Sequence, residues 1–378
     1  MGHAYTPGLK VKPEITAVKE RRLPLKGDIL VKEGDKVKSD QVVARTELPG
    51  NPVPLNVVNV LSISPEELHD IMLKKEGDEV EKGEMIAESR GLFGFFRTPV
   101  HSPVTGTIEN VSNVTGQVIF RQAPIPVELK AYIDGVIDEV IPEEGVILGC
   151  KAAFIQGIFG IGGETEGLLS VAVKSISEEL TADKIDSSMK GKVIVGGSKV
   201  NTEALNKAIK VGASGIIAGG IDAADLREFL GYDIGVAITG HEEKGITLVI
   251  TEGFGKINMA EKTFELLKEN EGKKASINGT TQIRAGVMRP EIIITHSVPD
   301  SIDGYRENTE EKEETGGMEP GEKVRIIRDP GFGEIVAVKS LPVDLTKVES
   351  ETRVRVVEIE DDGKARLVPR ANVEIIEK

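Results

Sequence analysis

The stretch VKEGDKVKSDQVVA, Val31 to Ala44, recurs as KKEGDEVEKGEMIA, Lys74 to Ala87, at a spacing of 43 residues. Both fit E-G-D-x-V-x-x-x-x-x-[VI]-A. A second pair, GTIENVSNVTGQVI (Gly106 to Ile119) and GVIDEVIPEEGVIL (Gly135 to Leu148), recurs at a spacing of 29. Repeats this short inside one region predict duplicated hairpins. Gly34-Asp35 and Gly77-Asp78 are turn dipeptides that accept positive φ. Val37, Val42 and Ala44 alternate with polar residues as strands on a core do. Gly106 and Gly135 mark bends between sheets. Pro49, Pro52, Pro54, Pro99 and Pro103 exclude a helix or a long central strand there. One short helix is predicted from Pro65 to Met72, with Ser64 as N-cap and Pro65 in the first position.

GDEVEKGEMIA followed by SPVTGTIENV resembles the barrel-sandwich hybrid of biotinyl and lipoyl carrier domains. PVHSPVTGTI, Pro99 to Ile108, is most similar to the version in the C subunit of Rnf-type electron-transport complexes. The resemblance spans roughly Leu23 to Leu148 and implies the fold. Carrier domains hold their modified lysine at a hairpin apex between these two strands. Here that apex reads Gly94-Phe95-Phe96, with no lysine between Lys82 and Lys130. No amine is available there to acylate, so no biotin or lipoate cofactor is expected. Phe93, Phe95 and Phe96 are three of ten phenylalanines. They either tuck back onto the barrel or form an apolar docking surface for a protein partner.

The chain has 378 residues, enough for several cores, and a net charge of −15, which disfavours phosphate backbones as partners of the whole chain. One cysteine, Cys150, excludes an intramolecular disulfide and a cysteine-cluster metal site. No run is apolar enough to span a bilayer, and Met1 to Glu20 lacks a signal-peptide core. These features point to a cytoplasmic protein without a membrane span.

Phe154 to Gly167, FIQGIFGIGGETEG, lacks the Lys-Ser or Lys-Thr of a phosphate loop and is read as a barrel-to-barrel turn, followed by a strand in LLSVAVKS. From Lys192 the pattern alternates. KVIVGG, SGIIAGG, IGVAITG and ITLVITEG read as strands. NTEALNKAIKVG, AADLREFLG and MAEKTFELLKENEG read as helices. This predicts a parallel α/β layer whose ligands would sit beyond the carboxyl ends of the strands. The candidate pocket residues are Gly197, Ser198, Gly220, His241, Glu252 and Arg284, although glycine is also what tight βα turns use. Arg284 and Arg289 in GTTQIRAGVMRPE, Gly279 to Glu291, either contact an anion or belong to a solvated loop, and the second reading is preferred. No nucleophile elbow, HExxH, P-loop or dinucleotide fingerprint appears.

Asp300 to Glu319 holds eight acids and two bases, a net of −6, and reads as a flexible tether. EPGEKVRIIRDPGFGEIVAV then resembles the KOW motif of NusG-type factors. That resemblance covers about Pro320 to Ile376 and implies an SH3-like barrel that binds protein or RNA. Arg325, Arg353, Arg355, Arg366 and Arg370 are its candidate basic face. Eleven bases against twelve acids fall short of a nucleic-acid stripe.

The expected fold class is multidomain β and α/β: a duplicated lipoyl-like β-barrel sandwich, a central α/β layer and a C-terminal SH3-like barrel. The expected order is an N-terminal arm over 1–22, the barrel-sandwich region over 23–190, the α/β domain over 191–297, an acidic linker over 298–319 and the KOW barrel over 320–378. The leading functional reading is a non-catalytic adaptor or assembly protein with a protein partner. The alternatives are a small-ligand-binding or enzymatic α/β domain, and an RNA- or transcription-associated KOW factor.

Overall fold

The two repeat pairs interlock in a computed structural model, which describes residues 9–89, 97–232, 238–239, 242, 244–282, 288–302, 318–326, 334–342, 344–347, 353–361 and 364–375. The first copy of one pair meets the second copy of the other. Val37 pairs with Gly135 and Lys36 with Val136. At the equivalent positions Val80 pairs with Gly106 and Glu79 with Thr107. The duplication is therefore nested: an inner unit lies within an outer one.

The equivalence extends to single hydrogen bonds. Gly34 N donates to Ile137 O at 2.8 Å, and Gly77 N to Ile108 O at 2.8 Å. The Asp35 carboxylate accepts from Lys32 N at 2.8 Å and that of Asp78 from Lys75 N at 2.7 Å. The hairpin of Val42–Leu48 with Ile125–Lys130 has the register and bulge of Met85–Glu88 with Pro99–His101. The inner unit, 51–122, thus occupies the place where the outer hairpin would turn.

Two adjacent strands of chain join the units. Arg121 Nη1 donates to Gly50 O at 3.0 Å, and Gln122 N to Asn51 O at 3.1 Å. A Cβ on Gly50 would lie 1.9 Å from Gln122 O, so this neck requires glycine. The inner core gathers Val57, Leu68, Ile86, Ile108 and Phe120. The outer core contains Val43, Ile133, Ile137 and Leu148, and also takes in Ile293 from the central sheet.

Gly145–Gln156 belongs to both the outer unit and the central sheet. Its first half pairs with Gly135–Ile141 and its second half with Glu291–Ser297. Val11–Arg22 pairs antiparallel with it, from Val11 against Ile155 to Arg22 against Gly145. The expected N-terminal arm is, over these residues, a strand of the sheet; its backbone groups find partners along Gly145–Gln156 although its side chains do not alternate cleanly.

Hydrogen bonding also continues through the boundary expected at 190. Glu164–Val171 runs parallel to Lys192–Val195, and Phe159–Ile161 pairs with Thr247–Phe254. The glycine-rich bridge is interior rather than a turn between barrels: a Cβ on Gly160 would meet Gly279 O at 2.6 Å and Leu248 O at 2.7 Å. Lys192–Val195, Gly215–Ile221 and Thr247–Phe254 are parallel, whereas Lys274–Asn278 and Glu291–Ser297 extend the sheet antiparallel. The layer is mixed, not wholly parallel.

Thr202–Val211 starts at Asn201, whose side chain accepts from Ala204 N, and stops at left-handed Gly212. It packs Ala204, Leu205 and Ala208 on one face of the sheet, beside Leu226 and Leu230 of Ala223–Leu230. Glu261–Glu269 packs Phe264, Leu266 and Leu267 on the other face. In the region read as tether, Asp300 pairs with Lys36 at 2.7 Å and Ile302 is fully buried. The chain is therefore held to the outer unit up to that point. The C-terminal unit is a five-stranded antiparallel sheet around Val324, Ile326, Val338, Ile359 and Val373.

Candidate functional site

Backbone fills the strand ends expected to form a ligand pocket. A Cβ on Gly197 would lie 2.4 Å from Glu178 O and 2.6 Å from Ser175 O. Ser198 is fully buried; its hydroxyl donates to Ser177 O at 2.9 Å. A Cβ on Gly220 would lie 2.1 Å from Gly255 O. The small residues make room for the chain itself, which corrects the pocket expectation at Gly197, Ser198 and Gly220. His241 and Arg284 lie outside the described residues.

Glu252 is the candidate that the fold uses most strongly. It is 5 % exposed, accepts from Ala260 N at 2.9 Å, and pairs with Arg325 Nη2 at 2.7 Å. Arg325 Nη1 also reaches Glu374 at 3.0 Å, and Glu374 pairs with Arg289. An acid/base role for Glu252 would require access that Arg325 takes. Beside this chain of charges lies a cavity of about 40 Å³ bounded by Leu9, Val11, Gln156, Thr251 and Thr263. That is room for water, not for a metabolite.

Three of the five arginines of the expected basic face are engaged within the protein. Arg325 is buried at 2 % exposure because the C-terminal unit is docked on the central sheet. Arg366 is paired with Glu334 at 2.5 Å. Arg370 donates to Val356 O at 3.0 Å and Pro342 O at 2.9 Å. Arg355 is exposed, and the Arg353 side chain lies outside the described residues. Arg289, read as solvated, is partly buried and ends the chain of charges by pairing with Glu374. Glu374 was not legible as a partner, although V-R-I and V-E-I, apolar-charged-apolar, were the available cue.

A polar cleft of about 260 Å³ separates the outer unit from the end of Glu291–Ser297, with Lys38, Asp134, Lys274, Ser276, Thr295 and His296 in its wall. Burial opposes ionisation of Asp134, but hydrogen bonds from Ser39 and Lys38 and the nearby Lys274 charge outweigh it and hold the carboxyl below its ordinary value. The equivalent inner residue is Thr105, whose hydroxyl accepts from Lys82 N as Asp134 accepts from Ser39 N. His296 Nε2 lies 3.2 Å from Asn270 Oδ1. Burial pushes the Cys150 thiol up, and its sulfur lies 3.5 Å from the Thr295 hydroxyl. A protonated, buried thiol is a poor nucleophile. Among the described residues, no group of three or more His, Cys, Asp or Glu side chains could hold a metal ion.

The inner hairpin is held as far as Ser89 and Arg97. Ser89 N donates to Thr98 O at 3.0 Å, Thr98 N to Ser89 Oγ at 2.8 Å, and Arg97 pairs with Glu88 at 2.9 Å. Phe93, Phe95 and Phe96 lie outside the described residues.

The family model of the RnfC barrel sandwich hybrid domain matches residues 69–128. The match takes in most of the inner unit and the start of the return to the outer one, well under half of the chain. It places a barrel sandwich hybrid in the N-terminal region. No curated protein and no solved structure matches the chain. Among the described residues no helix is long and apolar enough to cross a membrane.

Proposed function

We propose that this chain is a non-catalytic adaptor or assembly protein of the cytoplasm, which docks partner proteins through a lipoyl-like barrel without the attachment lysine and an SH3-like barrel. The observation that carries the proposal is the nested insertion. Where a carrier hairpin would present a modified lysine, the outer unit presents a second barrel on a two-stranded neck. That inner barrel has its own core and no lysine at its apex. The match to the RnfC domain suggests an enzyme complex of the electron-transport kind as the setting. The C-terminal unit, read as SH3-like, adds a third small β domain of a type that serves docking.

The test is co-purification from the native source with the intact chain and with a Phe95→Ser/Phe96→Ser variant. A stoichiometric protein partner held by the intact chain and lost by the variant is expected. Turnover of a small substrate by the isolated monomer would end the adaptor reading. A native chain whose intact mass includes a covalent acyl group would end the claim that it carries no prosthetic group.

A further inference from the structure

We infer that the C-terminal unit is latched in cis onto the central sheet by the chain of charges Glu252–Arg325–Glu374–Arg289, as a built-in closure of the strand-end face. Strand alternation is the first observation. Val324 and Ile326 lie in the core of the C-terminal unit, as does Val373 of Val373–Ile375. Arg325 and Glu374 are therefore on the opposite face of their strands, where they are direct cross-strand partners. Such a pair on an isolated five-stranded unit would meet solvent. Here Arg325 is 2 % exposed and Glu374 is fully buried. The central sheet is what covers them.

Charge order is the second observation. Glu252 and Arg289 come from the central region, Arg325 and Glu374 from the C-terminal unit. The signs alternate along the chain of contacts, and each central residue meets its opposite across the seam. Two acids and two arginines leave no net charge in the seam. Arg325 Nε and Arg289 Nη1 have no protein partner. Water in the 40 Å³ cavity is suited to serve Arg325. A buried ion pair contributes little to stability when intact, but loss of one member leaves an uncompensated buried charge. The arrangement thus holds the unit in one place and penalises every shifted docking.

The inference goes beyond the adaptor reading, since it concerns how the chain closes on itself. It is tested on the full chain with a specific protease site placed within 303–317. After cleavage, the two fragments are expected to stay together on gel filtration. Glu252→Gln and Arg289→Met leave the Arg325–Glu374 pair of the C-terminal unit intact, so that unit should fold in both. Each is expected to weaken fragment association at least tenfold, whereas Lys262→Ala, at an exposed position beside the cavity, should not. Separation of the cleaved unaltered chain would overturn the latch. So would unaltered association of both variants with circular dichroism showing them folded.

Discussion

The inner and outer units share a register, a bulge and equivalent loop hydrogen bonds, yet they hold opposite places in the molecule. The outer unit extends one strand, Gly145–Gln156, into the central sheet and shares its core with Ile293. Among the described residues the inner unit keeps its core to itself, and a neck two chains wide joins it to the rest. One local design has become a foundation in the first case and an appendage in the second. The difference is decided outside the repeat, by what the flanking chain does, and not by the hairpins themselves.

The sharpest way to break this comparison is to remove equivalent core side chains. Ile108 and Ile137 are both essentially unexposed. Ile→Ala at either site should cost about 2–5 kcal/mol in its own transition. Calorimetry should show Ile108→Ala lowering a separate transition of the inner unit, and Ile137→Ala lowering that of the central sheet. A single transition shifted by both would mean that the neck couples the units.

Next come the bend glycines. A Cβ on Gly106 would lie 2.1 Å from Arg121 O, whereas one on Gly135 would lie 2.9 Å from Gly149 O. Alanine at each should cost about 1–3 kcal/mol, with Gly106→Ala the larger, as read from urea midpoints. The reverse order would show that the inner bend relaxes more easily than the outer.

The turn glycines sharpen the comparison in the other direction. Gly34 and Gly77 have φ of +85° and +91°, with nothing within 4 Å of an added Cβ. Alanine at each should cost roughly 1 kcal/mol through backbone conformation alone. Equal losses in urea melts are expected, and a clear inequality would show that the two loops are not equivalent.

The smallest effect is one of pH. Asp134 stands where the inner unit has Thr105. Its carboxyl is held below its ordinary value when folded, so the ionised form favours the folded state. That contribution is complete above the unfolded carboxyl value, about 3.9, and is lost as pH falls through the folded value. Asp134→Thr should therefore lower Tm slightly near neutrality, with the gap from the unaltered chain closing in acid. A gap that persists at low pH would mean that Asp134 acts through shape.

The duplicated hairpins were legible in the repeats, but spacings of 43 and 29 fit nested and crossed pairing equally, and only the strand registers, Val37 with Gly135 and Val80 with Gly106, decide for nesting. The helices read well because caps such as Asn201 and Gly212 act locally. Three features were hidden because they depend on distant chain. Val11–Arg22 is a strand only because Gly145–Gln156 lies beside it. Gly197 and Gly220 resembled a ligand floor, and nothing near them in sequence revealed the carbonyls of Glu178 and Gly255. Arg325 alternates with two core residues as a surface residue does, and docking alone buries it. The candidate site was legible as residue types and illegible as access.

Nesting also sets an order in time. As the chain emerges from the ribosome, residues 28–48 are complete long before their partners in Ile125–Lys130 exist. The inner unit, by contrast, is contiguous. Its folding would bring Leu48 and Ile125 together, closing a long loop whose entropy would otherwise weigh on the outer hairpin. A whole barrel then serves its neighbour as a reverse turn, and Val42–Leu48 cannot complete its pairing until Ile125–Lys130 has been made.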